Sequence, residues 1–373
     1  MTWTVAVGAT AVIGGLAVAA STTLLARAVI YPKRSRPTRI DEVRASGDVV
    51  LSSTALTRFP GTLGLLYDGE SKLAVLKAGT RVLENPERVV RTLAAPAPLL
   101  GGTEGRASGN VFGPEDITGI PPESVAIDGG HQLQPAWLYR GVGAAASTWV
   151  IHVHGMLAGR DSALRSAHAV ASAGVTSLVV SYRGDGEAPT ETAGPSHLGQ
   201  TEWNDVDAAV AFAQVNGATN VILVGWSLGA TLALNAAEHG PSRALVSGLV
   251  LVSPVISWAR SIRFGMQQNR LPAWLASLTI AALSLPGTST LLGLTQPLEL
   301  SDALPTVSVP TLIIHSEGDR TAPFQTSRDF AAANEAVELD EFPACPHAME
   351  WNTDPARFSA AVQRWIAKRG VHD

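Results

Sequence analysis

Val221-Ile222-Leu223-Val224-Gly225-Trp226-Ser227-Leu228-Gly229-Ala230 begins as an apolar run, breaks at a glycine-bracketed serine and continues into an Ala/Leu-rich stretch. That pattern reads as a strand, a tight turn and a helix. The Gly225-Trp226-Ser227-Leu228-Gly229 pentapeptide fits a nucleophile elbow, in which the glycines permit close backbone approach and the strained turn lifts the Ser227 hydroxyl clear of the sheet. A G-x-S-x-G match is weak on its own, so its surroundings must carry the reading.

Outward from the elbow, apolar runs alternate with helical patterns. Trp149 to Val153, Ser177 to Ser181, Leu249 to Val255, Thr311 to His315 and Val337 to Phe342 read as strands. Ala163 to Ala173 and Glu202 to Val215 read as helices. A final helix starts at Asp354, an N-cap followed by Pro355, with Phe358, Val362, Trp365 and Ile366 on one face. Ser124 to Ile127 and Gln134 to Leu138 flank Gly129-Gly130 as a hairpin. The alternation predicts an α/β fold with a doubly wound, mostly parallel sheet over residues 121–373. Residues 256–305 interrupt it with Trp258, Phe264, Met266, Leu271 and Trp274, broken by Pro272, Pro286 and Gly287, and predict a helical lid.

Met1 to Ala26 carries no charged side chain, enough to cross a hydrocarbon core of about 30 Å as a helix. Residues 1–30 are therefore expected to be a transmembrane anchor. Arg27, Lys33, Arg34, Arg36, Arg39 and Arg44 follow it, which by the positive-inside rule puts the catalytic bulk in the cytoplasm. A cleaved signal ending near Ala17-Val18-Ala19, with export, is the alternative, although the basic n-region is missing. Residues 31–120 read as a basic linker to about residue 45 and then a small strand-rich appendage of short apolar runs, with Pro98 to Pro122 as extended loop.

Charged residues make up 16% of the chain against 46% hydrophobic, and the net charge of −5 carries no nucleic-acid footprint. The single cysteine, Cys345, leaves no intrachain disulfide and no cysteine-based zinc cluster.

A serine hydroxyl needs a histidine as base and a carboxylate to orient that base. Behind an elbow of this kind the acid and then the histidine follow in the chain. His347 and His372 are the histidines that lie far enough along; His372 is next to the C-terminus, so His347 is favoured, in a turn after the strand ending at Phe342. Asp319, in the loop after the Thr311 strand, is the expected acid, with Glu317 its neighbour and rival. The other position open to such an acid holds Ser253-Pro254 and no carboxylate. The developing oxyanion needs backbone donors, expected from Leu228 after the nucleophile and Met156 in the His154-Gly155-Met156-Leu157 loop. His152 and His154 stand two apart on one strand, but no carboxylate or cysteine nearby completes a metal set, and neither metal nor cofactor is expected.

Together with Ser181-Tyr182-Arg183-Gly184-Asp185, Glu202 to Asp207, Glu317-Gly318-Asp319, Pro346-His347 and Trp351-Asn352, the elbow and His154-Gly155 make the chain from about residue 122 onward resemble the α/β-hydrolase superfamily, most closely its membrane-anchored actinobacterial members. The resemblance implies Ser227 as nucleophile, Asp319 as acid, His347 as base and carboxylic ester hydrolysis as the commonest activity. One departure is Pro346, where relatives usually carry glycine. The Trp- and Leu-rich lid and the anchor suggest an apolar acyl or lipid-like ester as small-molecule substrate. The alternatives are a peptidase, amidase or thioesterase with the same triad, and a non-catalytic membrane-tethered binding protein.

Overall fold

The computed structural model describes residues 18–33, 36–187 and 194–370. Residues 18–30 form a first helix, α1. Ala26 and Ile30, one turn apart, are buried in an apolar cluster with Ile262, Met266, Leu283 and Leu298, so this end of the expected anchor packs on protein. Among the described residues no helix is long and apolar enough to cross a membrane. Residues 1–17 of the expected anchor lie outside the described residues.

Seven strands follow: β1 Thr38–Val43, β2 Asp48–Ser52, β3 Leu63–Tyr67, β4 Lys72–Leu76, β5 Arg81–Val82, β6 Arg88–Thr92 and β7 Thr103–Ser108. They form one antiparallel sheet in the order β4-β3-β7-β1-β2-β6-β5, which curls until Leu76 pairs with Leu93. Ile40, Val49, Leu51, Leu63, Leu65, Leu76 and Val89 fill its interior. Two expectations fail here. β1 occupies much of the stretch read as linker, because Thr38 and Ile40 alternate inward among charges that mask the pattern. β7 lies within the stretch read as extended loop. Only Ala107 of its six side chains is buried, and the backbone ladders to β1 and β3 hold it rather than any apolar alternation.

The second sheet holds β8 Glu123–Asp128, β9 Leu133–Tyr139, β10 Thr148–Val153, β11 Thr176–Val180, β12 Asn220–Trp226, β13 Val246–Val252, β14 Thr311–Ser316 and β15 Val337–Phe342. Its order is β15-β14-β13-β12-β10-β11-β9-β8, and β9 alone runs against the rest. β12, carrying the elbow, lies between β10 and β13, and its last six residues, Val221 to Trp226, are apolar or glycine because both faces are covered. On one face Trp149, Ile151, Leu223 and Leu251 pack against α3 Trp203–Val215, α4 Leu228–His239 and α8 Phe324–Ala333. On the other, Val150, Ile222, Val224 and Val250 pack against α2 Leu164–Val170 and α10 Pro355–Gly370. The expected helix over 163–173 is shorter, because its ends tighten into 3₁₀ turns and Gly174 takes φ 74°.

Between β13 and β14 lie α5 Trp258–Gln268, α6 Ala273–Ser284 and α7 Pro286–Leu291, of which α5 and α6 share an apolar cluster with α1. A short helix, α9 Glu350–Thr353, follows the turn that carries His347.

Candidate active site

Ser227 sits between β12 and α4 at φ 54° and ψ −114°, a conformation that costs a non-glycine residue of order 1–3 kcal/mol and is kept only where surroundings enforce it. Those surroundings are close-packed: a Cβ at Gly229 would collide with the carbonyls of Val153 and His154, so only glycine lets α4 approach β10. A Cβ at Gly155 would stand 3.1 Å from the Ser227 Cβ, which puts the His154–Met156 loop directly against the serine.

His347 Nε2 lies 2.8 Å from Ser227 Oγ, placed to accept the hydroxyl proton. On its other side His347 Nδ1–H donates to Asp319 Oδ2 at 2.6 Å. Asp319 is buried and accepts further bonds at Oδ1 from the amides of Thr321 (2.7 Å) and Ala322 (3.0 Å). Burial alone would raise its pKa, but the His347 charge and the hydrogen bonds from His315 and His347 outweigh it and hold the carboxyl well below its usual range. His347 is pushed the opposite way: burial disfavours the imidazolium, and Asp319 more than restores it, so its pKa is raised. Glu317, the rival acid, is exposed, and His372 lies outside the described residues.

The sequence reading assigned no role at the site to four buried side chains around this chain. His315 Nε2–H donates to the same Asp319 Oδ2 at 3.0 Å, and its Nδ1 lies 2.8 Å from Ser327 Oγ. A histidine four residues before the acid was visible as a pattern, but nothing in the sequence says that a strand residue turns back onto its own loop. Ser253, at φ 44°, donates from Oγ to Glu350 Oε1 at 2.5 Å and accepts from the Ala348 amide at 3.0 Å, so it braces the His347 turn. Burial raises the Glu350 pKa against the pull of the Ser253 hydrogen bond. Asn352 Oδ1 accepts from Arg165 Nη1 at 2.6 Å, while its Nδ2 donates to the carbonyls of Thr62 and Gly109, both at 2.8 Å. The curled N-terminal sheet is thereby tied to the helix behind His347.

Leu228 is the first residue of α4, so its amide has no partner within the helix. Met156 and Leu228 border one cavity of about 190 Å³, with Ile30 and Tyr31 of the N-terminal segment along another side. His154 shapes this corner. Its two ring nitrogens face acceptors only, Asp185 Oδ2 at 3.1 Å and the Gly155 carbonyl at 2.9 Å, an arrangement that suits the imidazolium. Burial disfavours that charge, but Asp185 and the Gly155 carbonyl raise the pKa nonetheless. His152 turns to hydroxyls instead, 2.9 Å from Ser166 Oγ and 3.3 Å from Ser177 Oγ, and burial lowers its pKa to about 3. The two histidines therefore do not converge on a shared site. Burial also pushes the Cys345 thiol up to about 12, which leaves it a poor nucleophile beside the triad.

The family model of the alpha/beta hydrolase family matches residues 141–361, more than half of the chain. The chain belongs to the alpha/beta hydrolase family. This hydrolase is similar in structure to an esterase of Pyrococcus furiosus: 18% identity, TM-score 0.52, covering 70% of this chain and 97% of that one. A second crystal form of that esterase has 18% identity and a TM-score of 0.53, covering 70% and 95%. An esterase from Exiguobacterium antarcticum is 20% identical with a TM-score of 0.47, covering 66% of this chain and 100% of that one. At 18% identity the likeness to the Pyrococcus furiosus esterase bears on the fold alone. No curated protein matches the chain.

Proposed function

We propose that this hydrolase cleaves carboxylic esters through an acyl-enzyme on Ser227. The observation that carries the reading is the unbroken chain from Ser227 Oγ to His347 (2.8 Å) to Asp319 (2.6 Å). Ser227 Oγ bonds to the acyl carbon while its proton passes to His347 Nε2. That proton then goes to the leaving oxygen as the acyl carbon–oxygen bond breaks. A water, deprotonated by the same imidazole, attacks the ester on Ser227 and releases the acid. The amides of Leu228 and Met156 are the donors assigned to the oxyanion.

The division of labour along the chain is part of the same proposal. Residues 121–373 form the hydrolase domain, residues 256–305 its lid and residues 31–120 the strand-rich appendage. An apolar acyl group is favoured by the part of the cavity that Met156, Leu228, Ile30, Tyr31, Pro32, Leu157 and Tyr182 line, with Arg183, Asp185, Ser196 and Glu202 bordering the rest.

Matched 4-nitrophenyl butyrate, S-phenyl thiobutyrate and butyryl-4-nitroanilide test the reaction class. The expected result is ester kcat/KM at least 100-fold above that for the anilide. Faster anilide cleavage would transfer the assignment to an amidase, and faster thioester cleavage to a thioesterase. Turnover of none of the three by folded protein would favour the binding-protein alternative.

A further inference from the structure

His347 borders a second cavity, of about 650 Å³, that shares no lining residue with the one beside Met156. Gly318, Thr321 and Pro346 of the acid and histidine loops line one side of it, and Leu56, Phe59 and Pro60 of the curled N-terminal sheet line the other. Those N-terminal residues are rigidly held. Arg91, 1% exposed, donates from Nη1 to the Phe59 carbonyl at 2.6 Å and from Nη2 to the carbonyls of Gly61 at 2.6 Å and Lys77 at 2.8 Å. Asn352, five residues past His347, exchanges hydrogen bonds with Thr62 in both directions. The wall is therefore a built part of the catalytic region.

The charges in this cavity have one sign. Arg58 comes from the N-terminal sheet and Arg320 directly follows the Asp319 carboxylate, and no Asp or Glu lines the space with them. Arg58 meets Ser53 Oγ at 3.3 Å, and Arg320 meets Gln268 Oε1 at 3.1 and 3.0 Å. Neither forms an ion pair among the described residues. Two arginines on the border of an otherwise largely apolar space, each held only by a neutral partner outside the lining, are available to a planar anionic group carried on an apolar body.

The reaction itself says which half of an ester enters here. His347 Nε2 must reach the leaving oxygen to protonate it, so the alcohol half projects to the side that His347 faces. We propose that the cavity between residues 55–60 and the Asp319 and His347 loops is the leaving-group site, and that it selects alcohols or phenols bearing a carboxylate or phosphate read by Arg58 and Arg320. This rests on the ester-hydrolase reading and adds to it a substrate class and a role for the N-terminal sheet.

The test compares acetyl esters that differ in leaving-group charge: 4-acetoxybenzoate, 4-acetoxyphenyl phosphate and the neutral 4-acetoxybenzamide. With each, the ratio of anionic to neutral kcat/KM is measured for the wild type and for Arg58→Gln/Arg320→Gln. The ratio is expected to fall at least tenfold in the double variant for one or both anions, and to fall in the wild type as salt rises. The larger fall identifies carboxylate or phosphate as the preferred group. An equal ratio in the two proteins would overturn the proposal while leaving the hydrolase reading intact. Calorimetric binding of 4-hydroxybenzoate and 4-hydroxybenzamide to Ser227→Ala separates the two questions. A preference for the anion that is lost when Arg58→Gln/Arg320→Gln is added to Ser227→Ala, together with a folded wild type that hydrolyses none of the esters, would support the site and sink the hydrolase reading. Absence of that preference, with esters turned over, would do the reverse.

Discussion

His315 Nε2 lies 3.0 Å from Asp319 Oδ2, the oxygen that also receives the His347 Nδ1 proton. Two imidazoles thus share one buried carboxylate oxygen, and one of them never approaches the serine. His315 is fixed by Ser327, so it acts as a positioning residue that holds the carboxylate toward His347. His315→Phe is expected to lower kcat roughly tenfold, the size of one charge-assisted hydrogen bond, with KM changed less than twofold. Steady-state kinetics of that variant, with His315→Gln expected to recover part of the loss, separates positioning from a simple packing defect.

The pH profile follows from the same pair. The base must be neutral to accept the serine proton, and Asp319 raises the His347 pKa above its ordinary 6.5. Activity is therefore expected to rise with pH through a midpoint above 6.5. Asp319→Asn removes the carboxylate that raises it, so the residual activity of that variant should have its midpoint moved to lower pH. For stability the sign is opposite for the acid. The Asp319 pKa is depressed, so its contribution is present above the unfolded value of 3.8 and is lost as pH falls below it toward the folded value. Thermal melts of wild type and Asp319→Asn should converge through that acid window.

Glu350 makes a contrasting prediction. Its pKa is raised from 4.5 by burial, so the folded state binds more protons than the unfolded chain and stability falls as pH rises above 4.5. Glu350→Gln preserves an acceptor for the Ser253 hydroxyl and removes the titration. Its melting temperature is expected to overtake the wild-type value as pH rises through the window between 4.5 and the raised folded pKa. Parallel melting curves across that range would show that Glu350 does not titrate differently on folding.

Arg91 donates to three carbonyls within 2.8 Å and meets no carboxylate among the described residues, and burial brings its pKa to about 10. Arg91→Met would strand those carbonyls in the interior, at about 1–3 kcal/mol for each one that water does not reach. A clear fall in melting temperature is expected. Because Phe59 and Pro60 border the cavity beside His347, ester KM is expected to rise with it.

Sequence order picked out Ser227, Asp319 and His347 as candidates, and the structure brings the three within hydrogen-bond distance. Ser227, Asp319 and His347 stand in strand-end loops whose apolar strands are readable from period and composition, and the elbow glycines mark the turn by sterics alone. Leu228 follows Ser227 as the first residue of α4, a position readable from the same pattern. The parts that stayed hidden depend on long-range contact. Arg91 looks like one more charge on a polar strand, and only the curl of the sheet reveals a carbonyl cage around it. Asn352 joins Thr62 across 290 positions of sequence, a relationship no local pattern contains. At the end of the uncharged N-terminal run that the structure describes, composition does not separate two outcomes: an apolar helix face that packs on α5 and α6 has the same composition as one that packs on lipid, and Ala26 and Ile30 pack on protein.

Covalent labelling tests the central claim most directly. A fluorophosphonate probe, followed by peptide mass spectrometry, is expected to modify Ser227 at one equivalent in the wild type. Labelling should disappear in Ser227→Ala and slow at least 100-fold in His347→Ala, with both variants folded by circular dichroism. Modification of a different serine, or Ser227 labelling at the same rate without His347, would contradict the account.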